Sequence, residues 1–396
     1  MADNAEVIVV GAGIAGSAAA YHLASHGVRV THVEKRFPAG GPSGRSGALL
    51  HLFYTEPGLS QLAARGIEIL RNMRELTGYP SDYREVGMMT VGGGANTDGY
   101  REAVRRIHDD EGGDIRLLSA GEFAELAPAG MNADGIEVAA WEPRSGYADP
   151  ASATTALARR AAELGATARM NTRISRVLLD GQRAIGVQTT GGEQLLGDHV
   201  VLAAGPWTRP LLQDAGVDLP LRVERHIITA LDTPGASAQV LPFCWCDDVN
   251  MSYGRPEGPD LVLFGSWSGG GMSFRNDEAP EVQMITDPDV YREESDAAEG
   301  AEILRYVTPR IPGIASHGIR RGWAGLYDMS PDDLPVIGPV PGIDGLTVIA
   351  GSSGHGFKLG PAVGEAVAQL VETGQSPLLA AFSPARLLGQ QAATPG

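Results

Sequence analysis

Residues 6–10, EVIVV, are β-branched and apolar at every position after the first, the pattern of a parallel strand buried on both faces. A glycine-rich turn, GAGIAG at 11–16, comes next. A small-residue helix then stops at Gly27, and VRVTHVE at 28–34 reads as a second strand, which completes a βαβ unit. The stretch PAGGPSGRSG at 38–47 is too poor in apolar residues for an element and is expected as a loop beside something bound. A helix is predicted over 58–76.

From 79 to 140 the pattern turns to short strands around a charged helix near 98–112, which marks an insertion. Asp149 and Pro150 then start an amphipathic helix, followed by strands near Ile174 and at 184–189. HVVLAAGPWT at 199–208 is another buried strand with a Gly-Pro turn. Between 219 and 318, period-2 segments such as HIITAL and LVLFGSW predict a mostly antiparallel sheet. The expected fold class is α/β plus an antiparallel sheet. Its discontinuous nucleotide-binding domain is expected at 1–78, 141–218 and 319–396, and its inserted α+β substrate domain at 79–140 and 219–318.

Composition removes several classes of function. With 31 Lys plus Arg against 48 Asp plus Glu, the net charge is −17, which repels a phosphate backbone, so no nucleic-acid partner is expected. No run approaches the ~18 apolar residues of a membrane helix, and MADNAEVIVV lacks the basic flank of a signal peptide. A cytoplasmic protein without a membrane partner is expected, a homo-oligomer being compatible with it. Cys244 and Cys246, the only cysteines, flank Trp245 and are expected as packed core thiols. No histidine spacing suggests a metal. All but two of the basic residues are Arg, and the two lysines are Lys35 and Lys358.

In GAGIAG, Gly11 suits the tight turn, Gly13 the close approach of a pyrophosphate, and Gly16 helix-strand packing, while the amides at Ile14 and Ala15 open a helix aimed at an anion. Glu34, at the end of the second strand and 18 residues past Gly16, is placed for ribose hydroxyls. An acid there repels a 2′-phosphate, which leaves FAD and NAD.

The run RRGWAGLYDMSPDDLPVIGPVPG (320–342) and then LTVIAGSSGHGFKLGPAVGEAVAQL (346–370) resembles the D-amino-acid oxidase family of FAD enzymes, on its sarcosine-oxidase and glycine-oxidase-like side. The likeness extends to the first βαβ unit, the SGRSG loop and VVLAAGPWT. It implies a Rossmann-like FAD-binding domain of the glutathione-reductase type. Cofactor contacts are then expected at Lys35, Ser43, Gly44, Arg45, Ser46, Ile174, Ala204, Gly205, Trp207 and Gly325, and in the turn Gly354, His355, Gly356, Phe357 and Lys358. The helix opening after that turn suits the negative charge of a reduced flavin.

The resemblance also assigns Lys358 to the substrate carboxylate. Three departures qualify it. Gly325 stands where one branch attaches FAD through cysteine, so the flavin is expected to be non-covalent. Tyr327 and His51 stand where relatives carry carboxylate-binding arginines. No lysine between 35 and 358 supplies the one that promotes reaction with oxygen. The expected catalytic set is Lys358, Tyr327 and His51, with Arg321 and Trp323 of lower rank. The reading is an FAD-dependent oxidation of the C–N bond of a small amino acid or N-alkyl amino acid to an imine. A hydride passes to flavin N5, and O2 accepts the electrons as H2O2. A dehydrogenase with another acceptor, an NAD(P)H-dependent flavin monooxygenase, and a flavin-binding subunit of a larger complex are the alternatives.

Overall fold

The computed structural model describes residues 6–267 and 282–388. Parts of three expected segments, at 1–5, 268–281 and 389–396, lie outside the described residues. Two sheets organise the molecule. The first has six strands in the order Val336–Pro339, Leu346–Ala350, His199–Leu202, Glu6–Val10, Arg29–Val33 and Thr167–Arg169. All neighbours are parallel except the first pair. The predicted βαβ unit is its centre, with the helix Ile14–Ser25 as crossover.

The strands of this sheet are buried along most of their length because helices cover one face. Ile14–Ser25 packs there with Pro150–Glu163 and Gly356–Thr373 around a core containing Val7, Val9, Leu23, Leu157 and Val367. The predicted helix over 58–76 is two, Pro57–Arg71 and Met73–Thr77. Three strands, Ile174–Asp180, Arg183–Thr189 and Gln194–Leu196, cover the other face and enclose a second core with Ile8, Val200, Leu202 and Val348.

The second sheet is mostly antiparallel, as the period-2 segments predict. Its order is Glu294–Ser295, Ile319–Met329, Arg222–Asp232, Leu261–Ser266, Ser252–Glu257, Cys244–Asp247, Met88–Gly92, Val138–Glu142 and Arg116–Leu117, with Gln283–Met284 also on Arg222–Asp232. Only Cys244–Asp247 and Met88–Gly92 run parallel. Here two expected boundaries move. Ile319–Met329, expected in the nucleotide-binding part, pairs along its length with Arg222–Asp232, so the break at 319 falls on the wrong side of this strand. Val138–Glu142 pairs with Met88–Gly92, so the break at 141 cuts a strand. Backbone pairing between segments distant in sequence decides both positions. No helix among the described residues is long and apolar enough to cross a membrane.

Candidate active site

The Gly-rich turn is fixed by close backbone packing. Gly11 has φ +106°, and a Cβ there would sit 2.2 Å from the Ala203 carbonyl oxygen. One on Gly16 would sit 2.1 Å from the Gly11 carbonyl oxygen. These contacts press the first turn of Ile14–Ser25 against the strand ends. Ser43 Oγ accepts a hydrogen bond from the Ile14 amide at 3.0 Å, and Glu34 accepts from the amides of Ala12 and Arg36, both at 2.8 Å.

A cavity of about 570 Å³ opens at this turn, within the range of ligand sites. Gly11, Gly13, Ile14, Ala15, Gly16, Glu34 and Lys35 line it, as do Ser43, Arg45 and Ser46 of the loop. Ile174, Ala204, Gly205 and Trp207 form another wall, and Gly325, Gly354, Gly356 and Phe357 the far end. All of these are positions at which the sequence leads one to expect cofactor contacts. Gly44 does not line it, because its Cα packs on Ala39, where a Cβ would meet the carbonyl oxygen at 2.2 Å. His355 and Lys358 line a neighbouring cavity instead.

One contributor has no signal in the sequence. Residues 286–289 cross from the second sheet to the nucleotide end, where Asp289 pairs with Lys35 Nζ at 3.0 Å and with Arg173. Asp289 also accepts from Trp207 Nε1 at 3.1 Å, and Lys35 stands 3.1 Å over the Trp207 ring.

The neighbouring cavity is smaller, about 100 Å³, and brings the three expected catalytic residues together. His51, Tyr327 and Lys358 share its wall with His226, Cys246, Tyr253, Trp267, Met329 and His355. Ser46, Gly47, His226, Tyr253, Tyr327, Gly354 and Phe357 line both cavities, so the two adjoin. Both cysteines are buried core thiols, as expected. Cys244 and Cys246 share a core with Phe53 and Met88, and Cys246 also borders the smaller cavity. Trp323 and Arg321 do not line either cavity. Trp323 donates Nε1–H to the Arg45 carbonyl at 3.0 Å, and Arg321 lies 5.4 Å over the Trp323 ring.

Lys358 is 6 % exposed, and no carboxylate lies within 4 Å of it among the described residues. Its ammonium donates to Tyr54 Oη at 3.1 Å, and that oxygen lies 2.9 Å from His355 Nδ1. Burial lowers the Lys358 pKa to about 8 against the opposing pull of Cys246 and Glu142. Burial, with Lys358 and His355 beside it, drives His51 well below its ordinary value. His51 is therefore a neutral ring, with Nδ1 3.2 Å from the Phe53 carbonyl.

Behind this wall stands Glu142, fully buried, accepting from the amides of Leu52 at 2.7 Å and Phe53 at 3.0 Å and from Ser145 Oγ. Burial raises its pKa to about 7 despite those bonds and the Lys358 charge. In the same cavity wall, the rings of His226 and Tyr327 stack at 3.9 Å. Sequence reasoning missed both Glu142 and His226. The legible trace is RVERH at 222–226, a strand that carries four charged or titratable residues into a sheet.

A Gly-rich turn at a helix start, a long cleft at the carboxyl ends of parallel strands and a second small pocket at its far end define a dinucleotide-dependent oxidoreductase site. The family described as FAD dependent oxidoreductase, the D-amino-acid oxidase family, matches residues 6–370, and the chain belongs to it. It is 26 % identical over 389 residues to N-methyl-L-tryptophan oxidase of Yersinia pestis, covering 96 % of this chain and 99 % of that protein. It is also 26 % identical over 373 residues to 4-methylaminobutanoate oxidase (formaldehyde-forming) of Paenarthrobacter nicotinovorans. That match covers 94 % of this chain but only 44 % of that protein, so the chain spans less than half of its length.

Among solved structures, L-proline dehydrogenase from P. horikoshii superposes with a TM-score of 0.83 at 25 % identity over 98 % of both chains. Glycine oxidase from Geobacillus kaustophilus shares the fold, with a TM-score of 0.77 at 24 % identity over 96 % of this chain and 98 % of that one. The chain is an FAD-dependent oxidoreductase. The donors present fit that cofactor. The positive end of the helix Ile14–Ser25 and the Ser43 hydroxyl border the cavity and suit an anionic pyrophosphate, the Glu34 carboxylate beside them suits ribose hydroxyls, and no cysteine lines the larger cavity.

Proposed function

We propose that this enzyme oxidises the C–N bond of a small amino acid or N-alkyl amino acid, secondary or primary at nitrogen, to an imine that water hydrolyses. The observation that carries the reading is the Lys358 ammonium, buried in the smaller cavity without a carboxylate partner among the described residues. A buried charge is costly unless paired, and a substrate carboxylate supplies the pair. Tyr327 and the neutral His51 complete the wall as hydrogen-bonding rings. When bound, FAD would supply a two-electron acceptor. The chain's own work is to fix the carboxylate, orient the adjoining carbon and exclude water. The names of the two curated relatives, both oxidases of N-methylated compounds, support the class of substrate and O2 as acceptor.

A second reading, a dehydrogenase with a different acceptor, draws on the absence of any lysine other than Lys35 and Lys358 and on the likeness to a proline dehydrogenase. The two buried, unbridged thiols support a reducing, cytoplasmic setting. The test is the visible spectrum of the anaerobic holoenzyme while amino acids and N-methyl amino acids are added singly. Bleaching followed by recovery in air with H2O2 is expected. Bleaching without recovery assigns the dehydrogenase. Bleaching by NADPH alone, or by nothing, overturns the amine reading.

A further inference from the structure

His226 lines both cavities and is 8 % exposed. Its Nε2 lies 3.0 Å from Glu224 Oε2 on the same strand. Glu224 is itself held by Arg222 Nε at 2.7 Å. Burial alone would raise the Glu224 carboxyl, but the bonds from His226 and Arg222 outweigh it and keep the pKa below the ordinary value. Glu224 is thus a carboxylate and only accepts, so the tautomer that this contact favours carries its proton on Nε2. The lone pair then sits on Nδ1, to which no group hydrogen-bonds among the described residues. Stacking on Tyr327 fixes the plane of the ring.

An amino acid arrives with its nitrogen protonated, and a C–H bond next to an ammonium does not give up a hydride. Something must take that proton inside the pocket. Lys358 enters as a cation, His355 is engaged at Nδ1 by Tyr54 Oη, His51 is shielded by burial and by the Lys358 charge, and burial drives the Cys246 thiol and the Tyr253 and Tyr327 phenols above their ordinary values. We propose that His226 is the proton acceptor of the reaction, taking the substrate's ammonium proton at Nδ1 while Glu224 holds the ring in the required tautomer. In the step, one substrate N–H bond breaks, the proton moves to the Nδ1 lone pair, and a neutral amine and an imidazolium paired with Glu224 result. No electrons leave either partner. Such an arrangement of base and orienting carboxylate is worth about 10²–10⁴-fold in rate.

This assignment rests on the amine reading above, and its test separates the two. Anaerobic flavin reduction by N-methylglycine, L-proline and N-methyl-L-tryptophan is followed from pH 6 to 10 in wild-type holoenzyme, His226→Gln, His226→Ala and Glu224→Gln. The expected result is a fall of roughly 100-fold or more at pH 7 for both His226 variants. The acid limb of the profile should move at least one pH unit upward, towards the free amine, and added imidazole should restore His226→Ala. Glu224→Gln is expected to fall between. An acid limb unmoved in all variants, or no rescue, overturns the role of His226.

The second readout does not depend on turnover. In holoenzyme labelled with ¹⁵N-histidine, the signal missing from His226→Gln should report the Nε2–H tautomer, and an Nδ1–H tautomer overturns the assignment. Failure of every amine to bleach wild-type flavin overturns the amine reading, and with it the step proposed here.

Discussion

Lys358 Nζ and Tyr54 Oη lie 3.1 Å apart in a contact that joins two distant parts of the chain, both side chains being buried. The helix Gly356–Thr373 supplies the cation. The 51–54 loop, tied by its amides to Glu142, supplies the acceptor. A hydroxyl bonds an ammonium without neutralising it, so the charge is left for a ligand.

Replacing Lys358 by Met keeps the length of the side chain and removes the charge. A lost charge-assisted hydrogen bond of about 2–3 kcal/mol corresponds to a rise of roughly 30- to 200-fold in KM for a carboxylated amine. FAD content should stay at the wild-type level because Lys358 does not line the larger cavity. Steady-state kinetics and the flavin-to-protein absorbance ratio check both.

The Lys358 pKa, about 8, sets the pH range in which anions bind. Below it the ammonium is present, so the Kd of acetate, read by perturbation of the flavin spectrum, should show no Lys358-dependent change. Above it the Kd should climb by about tenfold per pH unit as the charge is lost. In Lys358→Met this rise should vanish.

Glu142 sets a pH dependence of stability. Its native pKa, about 7, lies above the ordinary 4.5, so between those values the native state holds a proton that the unfolded state has released. Its contribution is therefore full below pH 4.5 and is lost as pH rises through 7, at about 1.4 kcal/mol for each pH unit crossed between the two values. The urea midpoint of Glu142→Gln should depend less on pH from 5 to 7.5 than that of wild type. Glu142→Ala should lose about 1–3 kcal/mol more, because the Leu52 and Phe53 amides are left without their acceptor.

Gly16→Ala tests the nucleotide cradle. The new Cβ would stand 2.1 Å from the Gly11 carbonyl oxygen, a backbone atom that cannot rotate away. The Gly-rich turn must open, with an overpacking cost of about 1–3 kcal/mol. Purified protein should contain little FAD and melt below wild type. An unchanged flavin content would show that the turn does not carry the cofactor.

The local parts of this protein are legible in its amino-acid order. EVIVV, GAGIAG and Glu34 announce strand, tight Gly-rich turn and helix start, and the acid that ends the second strand within 29 residues, because each depends on neighbours in the chain. The turn before Gly356–Thr373 is legible for the same reason. Lys358 stands out because lysine is almost absent. Which faces meet is settled by the folded chain alone. Ile319–Met329 joins the second sheet through pairing with Arg222–Asp232, nearly a hundred residues away, and no local pattern encodes a partner at that distance. The same pairing stacks Tyr327 on His226, while a parallel contact between Cys244–Asp247 and Met88–Gly92 helps bring Cys246 to the smaller cavity. Glu142 looks like an ordinary charged residue in its strand. Burial against the 51–54 loop gives it a role, since the cost of removing a carboxylate from water is set by the packed surroundings and not by its sequence neighbours.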